Sequence, residues 1–86
     1  MTIVDQAIEF AAYAHRNQKR KGTDIPYVSH PYAVGMILRQ AGCPDEVVAA
    51  GLLHDTLEDT ETTAEQLRDL FGPAVLEIVV GCSEPD

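Results

Sequence analysis

The chain has no apolar run approaching the ~20 residues that a membrane-spanning helix requires, so a soluble domain with no membrane contact is expected. Its first residues, Met1-Thr2-Ile3-Val4-Asp5, lack the basic segment and long apolar stretch of a secretory signal, which makes a cytoplasmic location the expectation. Cysteine is scarce. Cys43 and Cys82 form neither a C-x-x-C pair nor a disulfide-dense pattern, so both are expected to be buried, reduced thiols without chemistry. Repeats, low-complexity tracts and the two-residue apolar alternation of half-buried strands are missing too, which leaves an all-α architecture without a sheet. Positive charge is also in short supply. Six Lys and Arg face 14 Asp and Glu, and four of the six, Arg16, Lys19, Arg20 and Lys21, fall in one short stretch. Duplex nucleic acid needs an extended basic surface and is excluded as a partner; one compact basic segment suits a small polyanion such as a nucleotide phosphate.

At 86 residues the chain has room for one small domain, whose core is marginal without a metal, a partner or close helix packing. Ile3, Ala7, Phe10, Ala11 and Ala14 recur at helical spacing after Thr2, so a first helix is predicted over about residues 3 to 17. Residues 19 to 29 hold Gly22, Thr23, Asp24 and Pro26 and read as an ordered basic loop. A second helix starts around Pro31, with His30 at its mouth, and stops at Gly42. A third opens at Pro44-Asp45-Glu46, where proline and acidic side chains suit a helix N-terminus, and is expected to reach about Glu58. Thr62 and Glu65 match a capping box ahead of a fourth helix that ends at Gly72. Pro73 begins a fifth, whose Val75, Leu76, Ile78, Val79 and Val80 require cover. The expected fold is a compact bundle of about five helices.

The chemistry concentrates at the end of the third helix, in His54-Asp55-Thr56-Leu57-Glu58-Asp59. Side chains advance about 100° per residue, so Glu58 lies one turn from His54 and Asp59 one turn from Asp55, all on one broad face. Gly51 lies on that face one turn earlier, where its missing side chain admits a neighbouring helix, a ligand or a substrate. A single helical His is more often hydrogen-bonded than a ligand, and His15 is read that way. His54 is different, because an apolar run from Val47 to Leu53 leads straight into an imidazole and three carboxylates. Negative charge at a helix C-terminus is opposed by the helix dipole, so a divalent cation is the better explanation. Mixed imidazole and carboxylate donors suit Mn²⁺, Fe²⁺ or Zn²⁺ better than Ca²⁺. A further ligand has to come from another helix, and His30 is the obvious supplier.

The stretches A-H-R-N-Q-K-R-K (14 to 21), I-P-Y-V-S-H-P (25 to 31), A-A-G-L-L-H-D-T-L-E-D-T (49 to 60) and F-G-P-A-V (71 to 75) resemble the HD domain of Rel/SpoT-type guanosine polyphosphate hydrolases. The resemblance runs from about residue 7 to about 82. It implies that His30, His54 and Asp55 are metal ligands, normally for Mn²⁺, and that Glu58 and Asp59 position or activate the attacking water. Arg20 and Lys21 match the basic pair implied to contact the base and phosphates of a guanine nucleotide. The sequence departs from the pattern in two ways near that pair. Gly22-Thr23-Asp24-Ile25 makes the loop one residue longer, and Asn17 stands where glycine is common, which implies altered base recognition. The family's fourth ligand, an aspartate on a later helix, has no match here, so residues 1 to 86 look like the N-terminal part of an HD domain.

The expected function is therefore hydrolysis of the 3′-pyrophosphate of (p)ppGpp, impaired in this chain by the missing ligand. Two alternatives stand beside it: an HD phosphohydrolase for another nucleotide or phosphate ester, and an inactive dimerising or regulatory fragment. Apolar faces of the first, third and fifth helices are expected to lie uncovered and to drive homo-oligomerisation.

Overall fold

A computed structural model describes residues 2–82, apart from the side chain of Cys82. Six helical segments make up the fold: α1 (Ile3–Ala14), α2 (Ser29–Gln40), α3 (Asp45–Leu53), α4 (Thr56–Asp59), α5 (Ala64–Phe71) and α6 (Pro73–Cys82). No strand forms among the described residues; a lone antiparallel bridge joins Lys19 to Pro26. No helix among them is long and apolar enough to cross a membrane.

Local signals set most of the boundaries. Thr2 and Asp5 form a reciprocal capping box on α1, with the Asp5 amide donating to the Thr2 hydroxyl at 3.1 Å. The helix ends at Ala14, three residues earlier than predicted, where His15 to Asn17 turn the chain into the basic loop. Gly42, at φ +83°, takes the left-handed conformation that lets the Cys43 amide reach back to the Leu38 carbonyl and close α2. Pro44 and Pro73 stand at the entrances of α3 and α6. The cap of α5 lies one residue later than predicted. Thr63 and Gln66 form the box, while the Thr62 hydroxyl accepts from Thr60.

The third helix is interrupted at its functional end. His54 and Asp55 keep right-handed backbone angles, but Asp55 drifts to ψ −8° before the single turn of α4 begins. Two side chains compete for the carbonyls here: the His54 ring bonds Gly51 and the Thr56 hydroxyl bonds Leu53, both at 2.7 Å. Such back-bonding bends helices.

α3 is the centre of the bundle. Residues Val48 to Leu53 are all buried, with α1, α2 and α6 packed around them. The prediction of an uncovered face on this helix is therefore corrected: a helix apolar on all sides is enclosed by its neighbours. Its core partners are Val4 and Ala7 of α1, Leu67 and Phe71 of α5, and Val75 and Val79 of α6. Apolar residues remain exposed elsewhere, among them Tyr13, Ile37, Leu70 and Val80. Cys43 is free but only half-buried, at variance with the expected full burial, because it sits in the α2–α3 connection; the Cys82 side chain lies outside the described residues.

Two glycines bring α2 onto α3. A Cβ at Gly35 would lie 2.6 Å from Leu52 Cδ2, and one at Gly51 would lie 2.5 Å from Leu38 Cδ1. Each helix thus accepts a leucine from the other where it has no side chain. That approach sets the start of α2, carrying His30, beside the end of α3, carrying His54.

Candidate metal centre

His30, His54 and Asp55 converge, each offering one ligand atom, with those atoms all within 4.8 Å of one another. His54 Nε2 is 3.1 Å from Asp55 Oδ1, and His30 Nε2 is 4.0 Å from Asp55 Oδ2. The two imidazole rings face each other edge-on with centroids 6.2 Å apart. All three residues are partly exposed, so the cluster is open to solvent on one side. Its donors also carry supporting bonds. The Gly51 carbonyl can only accept, so His54 donates to it from Nδ1 and Nε2 is the ring atom turned toward the cluster. Asp55 accepts the Tyr27 hydroxyl at 2.8 Å on Oδ2. Ring nitrogens and carboxylates fixed by outer hydrogen bonds are how proteins orient ligands for a transition metal, and this donor set fits one divalent ion.

Tyr27 was not singled out by sequence, although it stands three residues before His30 in I-P-Y-V-S-H-P. Burial, then the bond to Asp55 and the charges of Asp55 and Asp59, push its phenol well above the ordinary value of 10.0, so it remains a donor. Its ring lies against His15 at 4.9 Å and against His30 at 6.0 Å. His15 is buried, and its Nδ1 meets Gln18 Oε1 at 2.9 Å, in keeping with the hydrogen-bonded role read from the sequence.

Glu58 and Asp59 do not join the cluster. They follow it on α4, exposed, and line an open groove of about 680 Å³ together with Arg16, Asn17, Gln18 and Glu61. The basic segment forms a small hairpin, closed by Tyr27 N–H to the Gln18 carbonyl and Arg20 N–H to the Ile25 carbonyl, both at 2.8 Å. Gly22 at φ +75° makes its turn. Of its cations, Arg16 stacks on Tyr13 and Lys19 pairs with Asp24 at 3.7 Å. The side chains of Arg20 and Lys21 are exposed and engage no partner among the described residues.

An all-α bundle that presents a His and a His-Asp pair where two helices meet has the architecture of an HD-type metal-binding domain. A family model described as HD domain matches residues 7–86, and the chain belongs to that family. It is 45% identical over 82 residues to a zebrafish (Danio rerio) protein named guanosine-3′,5′-bis(diphosphate) 3′-pyrophosphohydrolase MESH1, covering 92% of this chain and 46% of that protein. It is 44% identical over 81 residues to an Aquifex aeolicus guanosine-3′,5′-bis(diphosphate) 3′-pyrophosphohydrolase, covering 94% of this chain and 12% of the relative. A solved structure reported for a metazoan ortholog of SpoT that hydrolyzes ppGpp superposes with a TM-score of 0.90 at 35% identity, over 99% of this chain and 49% of the other. The chain thus spans at most about half the length of these relatives.

Proposed function

We propose that the protein is a metal-dependent phosphohydrolase that removes the 3′-pyrophosphate of (p)ppGpp, with His30, His54 and Asp55 holding Mn²⁺. The observation that carries this reading is the convergence of those three side chains, with the His54 ring already held by the Gly51 carbonyl. The relatives' names supply the substrate. A divalent ion in this position supplies Lewis acidity, which acidifies water and offsets phosphate charge.

The remaining roles fall to the chain's own residues. Glu58 and Asp59 are solvent-facing carboxylates beside the cluster; one takes the proton of the attacking water as the new P–O bond forms. The 3′-O–P bond breaks, the ribose oxygen recovers a proton, and GDP or GTP is left with free pyrophosphate. Arg20 and Lys21, unpaired on the hairpin, hold the guanine nucleotide by its phosphates. Self-association through exposed apolar residues such as Tyr13 of α1 and Val80 of α6 belongs to the same proposal, and sedimentation at rising concentration reads it.

The test is release of pyrophosphate from ppGpp by the purified protein with added Mn²⁺, against a panel of other nucleotides and phosphate esters. Selective turnover of ppGpp supports the reading. Preference for another substrate reassigns the specificity while keeping the chemistry, and metal binding without turnover of any substrate favours an inactive regulatory domain.

A further inference from the structure

The hairpin of residues 18 to 27 is fastened to the metal-binding segment at both of its feet. At one foot the Gln18 side-chain amide donates to the Asp59 carbonyl, across 41 residues of sequence. At the other the Tyr27 hydroxyl donates to Asp55 Oδ2 at 2.8 Å, across 28 residues. The feet are joined to each other by Tyr27 N–H to Gln18 C=O, and Gln18 Oε1 in turn meets the buried His15, on which the Tyr27 ring packs. Arg20 and Lys21 lie between these anchors. The segment that carries the candidate phosphate-binding cations and the segment that carries the metal ligands therefore form one connected unit.

We propose that Tyr27 is a positioning residue that couples the metal centre to the substrate hairpin. The inference rests on the metal-site reading above. Asp55 has two oxygens with different tasks: Oδ2 is held by Tyr27, which turns Oδ1 to within 3.1 Å of His54 Nε2, where both can face one ion. Without the phenol hydroxyl, nothing on the hairpin holds the carboxylate in that rotation. The same ring stands in an edge arrangement with His30, centroids 6.0 Å apart, so a single side chain neighbours two of the three ligands. Because coupling between two sites is reciprocal, an ion that orders Asp55 also strengthens the hold on Tyr27 and stiffens the hairpin.

Tyr27→Phe removes only the hydroxyl and keeps the ring against His15 and His30. Loss of such an outer-shell bond lowers metal affinity on the order of 10- to 100-fold. Calorimetric titration of the wild-type protein and Tyr27→Phe with MnCl₂ alone, with no nucleotide, measures this directly, and circular dichroism of the metal-free proteins checks that their helix content is equal. A second reading needs no variant: in the wild type, Mn²⁺ should slow hydrogen exchange at the Arg20 and Tyr27 amides, which close the hairpin. Weaker Mn²⁺ binding in Tyr27→Phe together with slowed hairpin exchange in the wild type supports the coupling. Equal affinities, or hairpin amides indifferent to Mn²⁺, overturn it and leave the metal site standing. A wild-type protein that binds no Mn²⁺ removes the metal site itself and this inference with it.

Discussion

His54 donates its Nδ1 hydrogen to the Gly51 carbonyl, one turn back, at 2.7 Å. The bond orients the ring as a metal would need it, because a carbonyl cannot donate, so Nδ1 carries the hydrogen and Nε2 is the atom that faces the cluster. Gly51 also admits Leu38 of α2, whose Cδ1 lies 2.5 Å from where a Cβ would stand. One position therefore serves both the orientation of a ligand and the helix approach that brings His30 to the cluster.

That approach makes the two glycines of the α2–α3 contact unequal. An added methyl gains about 1 kcal/mol of helix propensity, against about 1–3 kcal/mol for overpacking. At Gly51 the obstacle is the far end of the flexible, half-buried Leu38 side chain, so Gly51→Ala should be close to neutral. At Gly35 the methyl meets both Cγ and Cδ2 of the fully buried Leu52, at 2.7 and 2.6 Å. Gly35→Ala should lose up to about 2 kcal/mol in urea unfolding; the reverse order would contradict the packing described.

The start of α5 offers a similar comparison. Thr63, not Thr62, caps the helix, so Thr63→Ala should cost about 1 kcal/mol. Thr62→Ala loses only the hydroxyl contact with Thr60 and should cost less. A larger loss at Thr62 would place the cap in the other register.

Alkaline pH should reveal the environment of Tyr27. Its phenol pKa is raised in the folded protein, so above 10.0 the folded state binds more protons than the unfolded state, and stability falls as pH increases. The stabilisation from this group is complete below 10.0 and is lost as pH rises towards the folded value. The stability difference between wild type and Tyr27→Phe should therefore narrow above that pH. A constant difference would mean that the phenol ionises alike in both states.

Arg20 and Lys21 should act on substrate and not on metal. Alanine at either position is expected to raise KM for ppGpp about tenfold, the effect of losing one charge-assisted hydrogen bond, and to leave Mn²⁺ affinity unchanged. Metal affinity that falls with KM would assign these residues to the metal centre.

Much of this molecule is legible in its sequence, because helix boundaries depend on nearby residues. Thr2, Gly42, Pro44 and Pro73 act within a turn of where they stand, and each does what its chemistry predicts. The grouping of His30 with the adjacent pair His54-Asp55 was legible as well, since a metal reading of that pair calls for a ligand from another helix and His30 stands at the mouth of one. The cap of α5 was ambiguous, because Thr62-Glu65 and Thr63-Gln66 both satisfy the pattern. The break at His54-Asp55 was missed for a different reason: it arises from side chains bonding backward to carbonyls, which periodicity does not register. Tyr27 and Gln18 were passed over because their partners lie 28 and 41 residues away.

The most direct test of the metal centre is calorimetric titration of MnCl₂ into the wild-type protein and into His54→Ala. One binding event in the wild type, absent in a His54→Ala protein of unchanged helix content, is the predicted result. Equal binding by both proteins, or none by the wild type, would contradict the assignment of His30, His54 and Asp55 as a metal site.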